Sequence, residues 1–184
     1  MEMSKIQNWN RTTEAIYKNV MLFTIAGIVA ALFGFIPMMG WLAEVCIVLV
    51  VAGFIAFFIR IKDLMALVEG QDVESIKKLT NGILIYILAV MLGKITMVGW
   101  ILGPIAYIVS CVFMLMAYNA LKKSETFPGK EGMNTLFIST IVGIVGAVLS
   151  IIPGIGAILG GICYIVMFVL MLLGWKKVAT PIAE

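Results

Sequence analysis

Three apolar stretches, residues 20–59, 82–121 and 135–175, dominate this chain, and each is about twice as long as one membrane crossing requires. A helix needs about 20 apolar residues to span about 30 Å of hydrocarbon. Each stretch is divided near its middle by a short turn sequence. These are Ile36-Pro37-Met38-Met39-Gly40-Trp41, Ile95-Thr96-Met97-Val98-Gly99-Trp100 and Ile152-Pro153-Gly154-Ile155-Gly156-Ala157. The pattern predicts two antiparallel spans per stretch, and so an all-α integral membrane bundle of six transmembrane helices. Composition agrees: 62% of residues are hydrophobic and 12% charged, against about 45–50% and about 25% in a soluble domain.

The stretches also resemble one another, which marks one supersecondary unit used repeatedly. With Gly40, Gly99 and Gly156 as origins the copies are spaced by 59 and 57 residues. Copies one and three then pair Thr24-Ile25 with Thr140-Ile141, and Gly27-Ile28-Val29 with Gly143-Ile144-Val145. Copies two and three pair Tyr107-Ile108-Val109 with Tyr164-Ile165-Val166. Ala30/Gly34, Ala89/Gly93 and Gly146/Ser150 are small residues four apart at matching places, and Gly27/Ala31 and Gly143/Ala147 form a second set. Small residues let helix backbones approach where lipid supplies no hydrophobic force, so these are expected to be packing seams.

The whole chain, 1–184, reads as one membrane domain. Residues 1–19 form a polar leader whose apolar stripe (Ile6, Trp9, Ile16, Tyr17) suits a short interfacial helix anchored by Trp9. Hairpin 1 covers 20–59, an amphipathic linker 60–81, hairpin 2 82–121, a hydrophilic loop 122–134, hairpin 3 135–175 and a tail 176–184. Gly70 divides the linker into Leu64/Leu67/Val68 and Val73/Ile76/Leu79 pieces. Twelve of the thirteen Lys and Arg residues fall in the leader, the linker, the loop and the tail, and Lys94 alone lies towards the turns. Positive residues concentrate on the cytoplasmic side. Both termini are therefore expected in the cytoplasm, and the three hairpins share one orientation about an approximate threefold axis. Trp9 and Trp175 are expected at the inner interface, Trp41 and Trp100 at the outer one. The Ile-Pro-x-x-Gly-Trp hairpin with glycine-rich spans resembles that of many small prokaryotic membrane proteins, a likeness too generic to imply an activity; a plasma or inner membrane location is expected.

Two charges interrupt the spans: Glu44 in the second and Lys94 in the third. Both are expected at a depth of about 6–8 Å from the turn side, from a rise of 1.5 Å per residue. An ionisable group inside a membrane costs about 2.5–3.5 kcal/mol on insertion scales, so it pairs, lines a wet cavity or reaches the headgroups. Three readings are open for Glu44 and Lys94: separate exposure near the headgroups, an intramembrane ion pair ordering the hairpins, or an ion or lipid site.

Other chemistry is poorly represented. The chain has no histidine, which removes His-dependent triads and His-ligated metal sites. Ser110, Ser139 and Ser150 lie in spans without a nucleophile-elbow sequence and are expected to bond to helix carbonyls. Cys46, Cys111 and Cys163 are expected to be buried free thiols, and Tyr107 and Tyr164 to hydrogen-bond across helices. The lysines are too dispersed for a nucleic-acid surface. The expectation is a non-enzymatic protein without a metal or cofactor. It acts by association with lipid, with another membrane protein or with itself, in a scaffold, accessory or immunity-type role. The alternative is a small channel or transporter with Glu44 and Lys94 near the outer mouth of a central pathway.

Overall fold

The computed structural model describes residues 3–34, 40–92, 99–150, 152 and 154–182. Among them are six helices and no strand: α1 (Met3–Gly34), α2 (Gly40–Met65), α3 (Gln71–Leu92), α4 (Gly99–Lys123), α5 (Lys130–Leu149) and α6 (Gly156–Val178). Four stretches, Gln71–Leu92, Leu102–Lys123, Lys130–Leu149 and Ile158–Val178, are long and apolar enough to cross a membrane. Large apolar side chains such as Ile55, Ile108 and Ile165 are exposed on the outside of the bundle. Water would disfavour so much exposed apolar surface, whereas hydrocarbon does not.

Each helix packs most extensively on its hairpin partner: α1 on α2, α3 on α4, α5 on α6. In the last pair Gly132 meets Val178, Gly143 meets Met167, Gly146 meets Cys163 and Ser150 meets Gly160. Numbers rise on one helix as they fall on the other, which is the antiparallel arrangement. A methyl group on Gly146 would sit 2.8 Å from Cys163 Cβ, and one on Gly174 2.7 Å from Leu136 Cγ. These glycines therefore set the closeness of α5 and α6. The expected Gly146/Ser150 seam is part of that contact, whereas Gly27 makes only an ordinary 3.8 Å approach to Val50. In hairpin 1 the tight approach is at Gly53 against Phe23, and in hairpin 2 at Gly82 against Met114. Ala30, Gly34 and Gly93 lie where side chains are outside the described residues.

The hairpins join through α2–α3, α4–α5 and α1–α6 contacts. Every helix thus touches its two neighbours in chain order, and the first closes on the last, giving a six-membered ring.

Two sequence expectations are corrected. The leader is not a separate interfacial helix. It continues into the first hairpin as one helix of 32 residues, about 48 Å long at 1.5 Å per residue. The stripe Trp9, Thr13, Ile16, Val20 and Phe23 is buried along it. Trp9 is also not a lipid anchor: it and Trp175 are 1% and 0% exposed and face protein. Trp9 meets Phe127 of the α4–α5 loop edge-to-face at 5.3 Å, and Trp175 meets Phe57 at 5.5 Å. Amphipathic spacing on a leader looks the same whether the apolar face meets lipid or protein. Here the long α1 brings it against the loops and the end of α6.

The linker pieces also join larger elements. The Leu64 turn ends α2, and Val73/Ile76/Leu79 begin α3. Gly70, at φ 60°, makes the break in a conformation that suits a residue without Cβ.

Candidate functional site

Lys94 lies outside the described residues. Glu44 lies on α2 with its side chain outside them. The structure gives no geometry for the pair. It defines two other places where chemistry converges.

The first lies inside the ring. A cavity of about 140 Å³ is lined by side chains from all six helices. Phe23 comes from α1, Phe54 and Phe57 from α2, Tyr86 from α3, Tyr107, Cys111 and Tyr118 from α4, Ser139 and Thr140 from α5, and Tyr164, Phe168 and Trp175 from α6. The rings interlock: Phe54 stacks on Tyr86 at 5.6 Å, Tyr86 lies 6.1 Å from Tyr107, and Phe23 touches both Phe54 and Phe57. On α6 the lining runs from Tyr164 to Trp175, about 16 Å along the axis. Among the described residues no Asp, Glu, Lys or Arg lines it.

The polar groups of this lining differ in what they already hold. Ser139 Oγ donates to the Met167 carbonyl at 2.8 Å, and Thr140 Oγ1 donates to the Leu136 carbonyl at 3.1 Å. Beside them, Ser110 Oγ donates to the Gly82 carbonyl at 2.8 Å across α3 and α4. Ser150 Oγ bonds the Gly146 carbonyl of its own helix. The three serines thus occupy the carbonyl-bonding role their sequence context implies. Trp175 Nε1–H has no partner, and with Thr24 Oγ1 it is one of two such buried side-chain atoms among the described residues. Tyr107 and Tyr164 line the cavity, and Tyr164 is within hydrogen-bonding reach of Ser150 at the end of α5, an interhelix contact of the kind expected. Sequence reading paired the two tyrosines by the repeat but missed Tyr86, Phe54 and Trp175. Nothing local in an apolar span says which aromatic faces inward.

The second place is on the loop side, where the charged linker, loop and leader meet. A cleft of about 1190 Å³ is bounded by Lys5, by 67–72 and Ser75, and by Ala120, 123–126 and Pro128. Its walls are tied together. Asp72, 5% exposed, accepts hydrogen bonds from Ser124 Oγ at 3.0 Å and Thr126 Oγ1 at 2.7 Å. Ser124 Oγ in turn accepts from the backbone N–H groups of Thr126 and Phe127. Phe127, 1% exposed, plugs the loop into the core against Trp9. Lys5 Nζ meets Glu69 Oε1 at 2.6 Å. The Lys5 hydrogen bond, then its charge, holds the Glu69 carboxyl below the ordinary glutamate range. That contact is therefore present at neutral pH and is lost as pH falls through the lowered value. Away from the cleft, Asn10 pins the tail, its Oδ1 accepting from Ile182 N–H at 3.1 Å and its Nδ2 donating to Ile182 O at 3.4 Å.

Among the described residues no cluster of three Cys, Asp or Glu side chains is placed to hold a metal ion. No protein family, curated protein or solved structure matches this chain.

Proposed function

We propose that the chain is a multi-pass cell-membrane protein of six spans, built from three tandem hairpins of one orientation with both termini cytoplasmic. It works without catalysis, by association with another membrane protein or with lipid. The observation that carries this reading is the loop-side cleft. In a chain whose outer surface is otherwise largely apolar, this concave surface mixes both charges and is held rigid by the Asp72 network and the Phe127 plug. A surface ordered before binding loses less conformational entropy on complex formation, which favours a partner there.

The repeat has support in hydrogen bonding. The 57-residue offset maps Gly82 onto Ser139 and Ser110 onto Met167. Both hairpins place one hydroxyl-to-carbonyl bridge at that pair of positions, with donor and acceptor exchanged between helices.

The test is site-specific photocrosslinking in native membranes from Glu125, in the cleft, and from Ile165, on the outer apolar face. A discrete protein adduct from Glu125 alone is expected. Only lipid adducts at both positions would move the reading to lipid, and no adduct beyond background at either would overturn it. Orientation is checked with Glu125→Cys, which an impermeant maleimide should modify only when the cytoplasmic side is exposed.

A channel or transporter is the second reading, favoured by a cavity on the axis of a closed ring. Among the described residues its lining is uncharged, which weighs against an ion path there, because ions need ligands that replace their hydration. Proteoliposome flux of protons, alkali cations and anions, with Glu44→Gln/Lys94→Met as control, separates the two. Flux in the wild type that is lost in the control would establish conduction.

A further inference from the structure

We propose that the outer face of α5, at its loop-side end, seats the headgroup of an anionic phospholipid between Lys122 of α4 and Lys177 of α6. Among the described residues the ion pairs join Lys5, Lys18, Arg60 and Lys78 to Glu69, Glu14, Asp63 and Glu74, all in the leader and the linker. None of these pairs includes Lys122 or Lys177, although both ammonium groups are held in place. Lys122 Nζ stands 3.7 Å from the centre of the Phe137 ring, and Lys177 Nζ donates to Thr135 Oγ1 at 3.2 Å. Lys62 also rests on a ring, Phe58, but on one of its own helix. Lys122 and Lys177 both reach across to the same neighbour, α5. A ring face and a hydroxyl fix a cation's position and bring no counter-charge.

Lysines at a membrane edge ordinarily extend their ammonium groups outward to water. These two are held the other way. Both sit in the last turn of their helices. Helical side chains lean back towards the N-terminus, which from the loop side is towards the membrane. Phe137 and Thr135 lean towards the N-terminus of α5, which runs the opposite way, and so meet them. Their backbone positions lie about 11 and about 8 Å past Lys130 along α5. The two charges therefore stand beside the first two turns of α5 instead of beyond its end. At about 100° per residue, Thr135 and Phe137 fall about 80° to either side of the exposed stripe Asn134, Ile138, Ile141 and Val145. The cations thus flank a stripe that is polar at Asn134 and apolar beyond it, the order of a phospholipid's headgroup and acyl chain. A headgroup of net negative charge supplies the missing counter-charge, whereas a choline headgroup neutralises its own phosphate. Glu131, one turn nearer the loop, is exposed and forms none of the ion pairs. The inference rests on the membrane reading above, and neither on the side of the termini nor on the partner of the cleft.

The experiment is a thermal-shift titration of the purified full chain in a neutral detergent. The probes are phosphatidylglycerol, phosphatidylcholine with the same acyl chains, and glycerol 3-phosphate as the same phosphate without a membrane anchor. Saturable stabilisation by phosphatidylglycerol alone is expected, weakening as salt rises. Lys122→Gln and Lys177→Gln should each lower that affinity about fivefold, and the double variant about 25-fold, the scale of a lysine at an anionic lipid surface. Lys77→Gln/Lys176→Gln removes the same net charge elsewhere on the loop side and should lower it at most about threefold. The single variants decide the matter if the double one does not fold. Equal shifts with phosphatidylcholine or with glycerol 3-phosphate, an equal loss in the Lys77/Lys176 pair, or no saturable shift would overturn the site. A folded, helical chain that fails to bind loses this site alone and leaves the membrane reading standing.

Discussion

A pair of glycine substitutions in the third hairpin isolates the cost of overpacking the bundle. Gly146 on α5 and Gly161 on α6 are both helical, so replacing either by Ala brings the same gain, about 0.8–1.0 kcal/mol of helix propensity. Their surroundings differ. A Cβ on Gly146 would lie 2.8 Å from Cys163 Cβ and 3.3 Å from the Gly160 carbonyl oxygen, whereas one on Gly161 has nothing within 4 Å. Carbon atoms rest at about 3.5–4.0 Å, so Gly146→Ala pushes α5 and α6 apart by roughly 1 Å or forces Cys163 aside. Overpacking of this kind costs about 1–3 kcal/mol. The propensity gain cancels between the two variants, and the difference is the steric cost alone, about 2 kcal/mol. For a chain of this size that is a melting-temperature gap of about 4–8 °C. The assay is thermal unfolding in one detergent, followed by tryptophan emission, because Trp9 and Trp175 are buried and redden on exposure. Gly161→Ala should melt at or above the wild type and Gly146→Ala below it. Equal melting temperatures, or a larger loss at Gly161, would refute the close α5–α6 contact.

Two further outcomes are expected. Ser110→Ala and Ser139→Ala each remove one interhelix hydrogen bond and should cost about 0.6 kcal/mol, at most about 1.7. Reversible unfolding in mixed detergent–SDS micelles measures both, and costs differing by more than about 1 kcal/mol would argue against equivalent roles in a repeat. Asp72→Ala removes the acceptor shared by Ser124 and Thr126. At about 1.5 kcal/mol or more for each bond to a charged group, it should destabilise the cleft by about 3 kcal/mol. Amide exchange should then accelerate across 124–129 while the spans stay protected, and unchanged exchange in that loop would show the network to be dispensable.

Some of this architecture was readable because it is local. Runs of twice the spanning length with a turn at the middle permit little but a hairpin, since a short connection forces adjacent helices antiparallel. Gly70 was recognisable as a break because few other residues favour that backbone conformation. The carbonyl-bonding serines followed from the lack of any other partner in an apolar span. The inward-facing residues were not readable. In a bilayer both the lipid face and the protein face of a helix are apolar, so the periodicity that reveals a buried face in water is largely erased. Tyr86, Phe54 and Trp175 therefore look like any other apolar-span residues until the ring closes around them. Trp9 looks like an interfacial anchor until α1 meets Phe127. The amino-acid sequence by itself determined the all-helical class and the pairing of successive apolar helices into hairpins, but not that the leader and linker pieces merge into α1, α2 and α3. Only the tertiary structure decided the closing contact of α1 with α6, the axial aromatic cavity and the loop-side cleft. Each depends on side chains from distant segments meeting, and short-range spacing carries no record of that.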